Sequence, residues 1–295
     1  MKELVVAIKN KTSIINELKS SYEISFYKEQ SFFDKLLLKD KRYPDIYFHQ
    51  GIINTEALDM IEHSKLTILN CRALKSQVEE KRSYINEDKI EVIYPYIHTS
   101  LSYSKEMKKE FRALHDLEKE TRILLFSAKN IDQGGVDKFL EIALHLENKN
   151  FVLLFDIEKN EEEKLQLKLQ KMNLQDKRLG LRQEYSLDQL LIFSDIFILP
   201  TKQKLFAPAV LKAMYFRNVV FVMRDNMASE LIDSFSLILG DDDRSVNFKV
   251  DALLVNKKEL KTIQKENYQV VKNMTKESYL EELKKHIEFH IEEES

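Results

Sequence analysis

Gly134 and Gly135 stand side by side after the run Ile123–Ser127 and before a stretch of helical period. At a strand-to-helix turn, adjacent glycines can expose backbone N–H groups to an anion such as a phosphate. His286 and His290 are four positions apart, so a helix puts both rings on one face, where they could share a metal. No further ligand at a known spacing accompanies them. A solvated or interdomain helix face is therefore the preferred reading, and no metal or cofactor is expected. Cys71 is the one cysteine, which excludes an internal disulfide and a Cys-cluster metal site. It ends an apolar run, where a buried structural thiol is the ordinary role. The sequence contains no nucleophile elbow, Walker loop or complete Rossmann fingerprint.

The elements that position these residues follow from periodicity. Short β-branched or aromatic runs alternate with longer helical stretches, the pattern of βαβ units and parallel sheets. In the first part, strands are expected at Leu4–Ile8, Glu23–Tyr27, Asp45–Phe48, Leu66–Asn70 and Ile90–Tyr94. Helices fall between them at Ser13–Leu18, Phe32–Leu38, Thr55–Glu62 and Ala73–Tyr84, with Ser31 and Asn54 placed as N-caps. A helix over Lys105–Leu117 leads to a second series of strands: Ile123–Ser127, Phe151–Asp156, Leu179–Leu181, Ile196–Leu199, Val219–Val222 and Leu237–Leu239. Its helices are Val136–Leu146, Glu161–Met172, Leu187–Phe193, Pro208–Phe216 and Ala228–Ile232, and the chain from Val250 to Ile291 reads as helical throughout. Two doubly wound Rossmann-like domains facing a cleft are expected. The first, over 1–117, is short; the second covers 118–272, and a closing helix over 273–295 returns toward the first. Ligands of such sheets bind outside the carboxyl ends of the strands, so the loops after Ser127, Leu199 and Val222 are the places to search.

Composition narrows the partners. Hydrophobic residues make up 43% and charged residues 32%, a balance that suits a globular chain and excludes wholesale disorder. The net charge is −3 and no dense Lys/Arg patch occurs, so nucleic acid is not an expected partner. No apolar run approaches 18 residues, and the start Met1–Ile8 is too short and too acidic for a secretory signal. A cytoplasmic protein without a transmembrane segment is the expectation.

From Lys89 onward the order of motifs resembles glycosyltransferase family 4, the retaining GT-B enzymes that use nucleotide-sugar donors. Lys89–Tyr96 resembles the family's last N-domain strand and its Pro-containing turn. Phe126–Asp137 resembles its strand, phosphate loop and helix start. Phe193-Ser194-Asp195-Ile196-Phe197-Ile198-Leu199-Pro200-Thr201 is similar to "S-A-D-V-F-V-L-P-S". The stretch from Phe206 to Met214 is similar to the helix after "E-G-F-G", and Ala228-Ser229-Glu230-Leu231-Ile232 to "G-x-P-E-I-I". The likeness covers roughly two thirds of the chain and is faint before Lys89.

The resemblance assigns donor or anion contacts to Lys129, Gly134, Gly135, Lys204, Lys212 and Glu230, several of which depart from the family. Lys129 replaces an Arg, keeping a point charge without the bidentate fork. Gly134 replaces a Lys. Two glutamates, eight positions apart in the family, become Lys204 and Lys212. The second normally accepts from ribose hydroxyls, which an ammonium group cannot do. Leu205 and Ala207 replace glycines and add bulk where backbone contact is implied. The glycine-rich loop after the first strand is here Lys9–Ser13, without glycine, and His49 reads as a plain loop histidine.

Two function classes fit. In one, the chain is a pseudoenzyme acting as a scaffold or partner subunit. In the other it is an active retaining glycosyltransferase, moving a sugar from a nucleotide-sugar to a glycan, lipid or protein acceptor. A lysine cleft re-purposed for another anionic ligand is the third reading. Erosion of the donor motifs places the pseudoenzyme first.

Overall fold

The computed structural model describes residues 2–9, 13–28, 42–181 and 183–292. The expected helix Phe32–Leu38 and its cap Ser31 lie outside these residues, as does part of the Lys9–Ser13 loop. Two compact units emerge: Ile97–Asn273 forms one, and the chain on either side of it forms the other.

The first unit carries β1 (Glu3–Ala7), β2 (Glu23–Phe26), β3 (Ile46–His49), β4 (Leu66–Leu69) and β5 (Ile90–Val92). They pair in the order β2-β1-β3-β4-β5, every pair parallel. Connecting helices are α1 (Ser13–Leu18), α2 (Thr55–His63) and α3 (Arg72–Lys81). Asn54 caps α2 as its sequence position implies, accepting from the Ala57 amide at 2.8 Å.

The second unit opens with α4 (Lys105–Leu114) and β6 (Arg122–Ala128), then α5 (Ile131–Gly134), α6 (Val136–His145) and β7 (Phe151–Ile157). It continues through α7 (Glu162–Lys171), α8 (Leu187–Phe193), β8 (Ile196–Leu199), α9 (Pro208–Tyr215) and β9 (Val219–Met223). β10 (Leu237–Ile238), α10 (Ser245–Val255) and α11 (Lys257–Val271) complete it. The sheet order is β10-β9-β8-β6-β7, again all parallel. Counted from its own first strand, this is the same winding as in the first unit. Both sheets therefore reverse direction between their first and third strands, and in the second unit that switch point lies between β6 and β8.

Strands covered on both faces need uninterrupted apolar runs, and β4 and β8 are buried at every residue. Phe126, Phe139 and Phe155 cluster in the second core, with ring centroids 5.3, 5.5 and 6.3 Å apart. The last helix, α12 (Lys276–Ile287), belongs to the first unit. Its Leu280, Leu283 and Ile287 join Leu4, Val6 and Ile46 in that core.

Three expectations need correction. Leu179–Leu181 is not a strand: only the Leu179 amide reaches the sheet, donating to Leu153 O at 3.0 Å, and Gly180 next to it weakens any continuation. Ala228–Ile232 is the 3₁₀ turn Met227–Leu231, wound around the Asn226 cap. The tail is broken at Asn256, which caps α11, and at Thr275, which caps α12. Among the described residues, no helix is long and apolar enough to cross a membrane.

Candidate functional site

Three loops leave the carboxyl ends of β6, β8 and β9, and hydrogen bonds strap them together. After β6, Asn130 caps α5 by accepting from the Gln133 amide at 2.9 Å. Gln133 O then accepts from Lys202 N at 3.0 Å and from Thr201 Oγ1 at 3.2 Å, tying this loop to the one after β8. Gln203 Nε2 adds a third link to Gln133 Oε1 at 3.0 Å. Asn226, buried after β9, donates to Gln203 O at 2.9 Å and Leu205 O at 2.7 Å, and accepts from the Ala228 amide at 3.0 Å. The Met227 amide donates to Lys204 O at 2.8 Å. The result is one continuous rim at the β6/β8 switch point.

The two glycines are set by packing. A Cβ on Gly134 would lie 2.3 Å from Ala128 Cβ, so α5 can press onto β6 only with glycine there. Gly135 has φ of +83°, and a Cβ on it would lie 1.8 Å from Pro200 O. That close approach brings the α5–α6 turn against the end of β8. Both amides are engaged inside the turn, Gly134 N with Asn130 O at 2.9 Å and Gly135 N with Asp132 O at 3.1 Å.

Lys129 is exposed in the β6 loop, and Glu230 is exposed in the Met227–Leu231 turn. Lys204 is exposed and lies 3.4 Å from Asp225. Lys212, on α9, is half-buried and donates to Asp188 of α8 at 2.7 Å. The two lysines that stand at glutamate positions are thus each beside a carboxylate. Near the carboxyl ends of β6 and β7, Ser127 Oγ donates to Asp156 Oδ2 at 2.6 Å, so Asp156 adds a further acid to this edge of the sheet.

Several polar residues escaped the sequence reading. Asn226, Thr201 and Gln133 hold the rim, but their partners are backbone groups or side chains up to 70 positions away, and only the cap position of Asn226 carries a local signal. Asp195 was legible only as a motif letter. It is buried, accepts from the Ile123 amide at 3.0 Å and from Lys108 Nζ at 2.8 Å, and faces Arg112 at 3.8 Å. Burial alone raises its pKa, yet Lys108, the Ile123 amide and Arg112 outweigh it and hold the carboxyl below its usual range. His49 is the last residue of β3 rather than a loop residue. Its Nδ1 lies 2.8 Å from the Tyr47 hydroxyl, and burial draws its pKa down.

Comparison with known proteins agrees with this architecture. No curated protein matches the sequence. WaaG, a glycosyltransferase involved in lipopolysaccharide biosynthesis, superposes with a TM-score of 0.67 at 10% identity, over 97% of this chain and 99% of its own. Anabaena HepE, solved with UDP, gives 0.78 at 12% identity over 98% and 100%. A glycosyltransferase from Rickettsia africae gives 0.69 at 15% identity over 96% and 89%. At these identities the likeness establishes the fold, the two-unit Rossmann-like architecture termed GT-B. The family profile "Glycosyl transferases group 1" matches residues 107–270, more than half of the sequence and nearly the whole second unit with its strapped rim. The chain therefore belongs to the group 1 glycosyl transferases.

Proposed function

We propose that this protein is a glycosyltransferase that takes a sugar from a nucleoside-diphosphate sugar bound at the β6/β8 rim of its second unit. The observation carrying this reading is the strapped rim itself, at the switch point of a sheet whose sequence matches the family. HepE, which shares the fold, has been solved with UDP-glucose. In the transfer, the bond between the anomeric carbon and the diphosphate oxygen breaks, a bond to the oxygen of an acceptor hydroxyl forms, and the hydroxyl proton passes to the departing diphosphate. Negative charge builds on the departing diphosphate, and Lys129 and Lys204 supply positive charge at this edge. Ribose hydroxyls need an acceptor, and Lys212 offers none. Asp188, hydrogen-bonded to Lys212, places a carboxylate beside that position and takes the acceptor role.

A second reading, the pseudoenzyme, is favoured by the charge reversal at Lys204 and Lys212. In that case the surfaces engage a protein partner, or the lysines hold a sugar-free anion. Thermal unfolding against UDP-, GDP- and ADP-sugars, the free nucleotides and inorganic pyrophosphate separates these readings. A donor at a hundred times its Kd adds about 2.7 kcal/mol of stability, a readable rise in Tm. One nucleotide-sugar should give this rise, and Asp188→Ala should weaken binding of that donor about tenfold, roughly halving the rise. A rise with pyrophosphate alone indicates a re-purposed site. No rise in the wild type, but one in the Lys204→Glu/Lys212→Glu double variant, indicates a decayed donor site and overturns the enzyme reading.

A further inference from the structure

We propose that Glu91, His286 and His290 form a binding site for a divalent transition metal of the zinc class in the first unit. The proposal is independent of the sugar-donor rim. Glu91 is the middle residue of β5, and His286 lies in the last turn of α12. His290 lies in the π-helical turn Glu288–Glu292 that follows, a widened turn of the kind that recurs at functional sites. Glu91 Oε1 is 3.1 Å from His286 Nδ1 and 3.1 Å from His290 Nε2. All three ligand atoms lie within 4.8 Å of one another. A tetrahedral ion with bonds of about 2.0–2.1 Å holds its ligand atoms about 3.3 Å apart. Glu91 therefore already stands at about that separation from each imidazole, and the two imidazole nitrogens lie no more than 4.8 Å apart. His290 is buried and His286 half-buried, so the two rings do not form a solvated helix face.

The chemistry of the set selects the ion. Two imidazoles and one carboxylate suit zinc and its neighbours, whereas magnesium and calcium prefer oxygen ligands throughout. Neighbouring cations are directed elsewhere: Lys65 pairs with Asp45, Lys75 donates to Ile90 O, and Lys89 donates to Glu62 O and Ser64 O. Glu91 and His290 also line an open depression of about 790 Å³ beside Asn86, Lys89 and Phe289. That opening leaves a fourth coordination position for water or an external donor. A bound ion would join β5 to a residue 199 positions later and so hold the end of the chain on the first sheet.

Untagged full-length protein, stripped with EDTA and titrated with CoCl2 and then ZnCl2, tests this. Equimolar uptake is expected, with the intense visible bands of tetrahedral cobalt, bleached as zinc displaces it, and a rise in Tm with zinc. His286→Gln, a substitution at a half-exposed position, should abolish the bands and weaken zinc at least tenfold while far-ultraviolet circular dichroism stays unchanged. Glu91→Gln gives the same reading should His286→Gln fail to fold. A wild type that takes up cobalt without tetrahedral bands, or variants that bind as the wild type does, overturns the site and leaves a metal-free hydrogen-bonded clip.

Discussion

Asp195 shows how one buried carboxylate can fix an element. Its oxygens meet Lys108 Nζ and the Ile123 amide, and the same ammonium also donates to Ser194 O at 2.6 Å. Through these contacts α4 and the starts of β6 and β8 are held by a single charge. Removing the carboxylate leaves Lys108 nearly buried without its counter-charge, a loss of about 3–5 kcal/mol. The folded-state pKa lies below the ordinary 3.8, so this stability is complete above that value. It drains away as pH falls through the lower, folded-state value. Asp195→Asn should accordingly lower the urea midpoint strongly at pH 7, and the gap from the wild type should narrow progressively below about pH 4. An equal gap at both ends of that range would show that the charge is not what stabilises the junction.

At the scale of elements, the rim depends on loops that have little regular structure of their own. Asn226 is buried and serves two carbonyls of one loop and an amide of its own. Asn226→Ala leaves those groups unsatisfied, at about 1–3 kcal/mol. Hydrogen exchange should quicken at the Met227 amide, which bonds to Lys204 O, while amides within β8 and β9 keep their protection. Unchanged exchange at Met227 would mean that the loops after β8 and β9 are held by something else. The strands around this rim were readable because a strand covered on both faces must be an apolar run, as in Leu66–Leu69 and Ile196–Leu199. The cap at Asn54 was readable because its signal is local. The triad Leu179–Leu181 has the same apolar look, yet it makes a single sheet bond, which composition alone cannot distinguish from a ladder. The pairs Lys212–Asp188 and Glu91–His290 were invisible for a different reason. Their partners lie 24 and 199 positions apart, and nothing in either segment names the other.

At the scale of the whole molecule, the two units differ in how the chain builds them. The second is continuous from Ile97 to Asn273, whereas the first needs both ends of the chain. Leu280, Leu283, Ile287 and Ile291 supply one wall of the first core. Each such side chain contributes about 1.5–3 kcal/mol on burial, so four together rival the 5–15 kcal/mol that holds a typical domain folded. The first unit therefore cannot complete its core until the end of the chain is present, while the second can. A chain ending at Asn273 should show rapid amide exchange throughout β1 to β5, with β6 to β9 retaining slow exchange. Protection of β1 to β5 in that truncated chain would mean that the first sheet closes its core without α12. Loss of protection in both sheets would mean that the second unit, continuous as it is, draws its stability from the first.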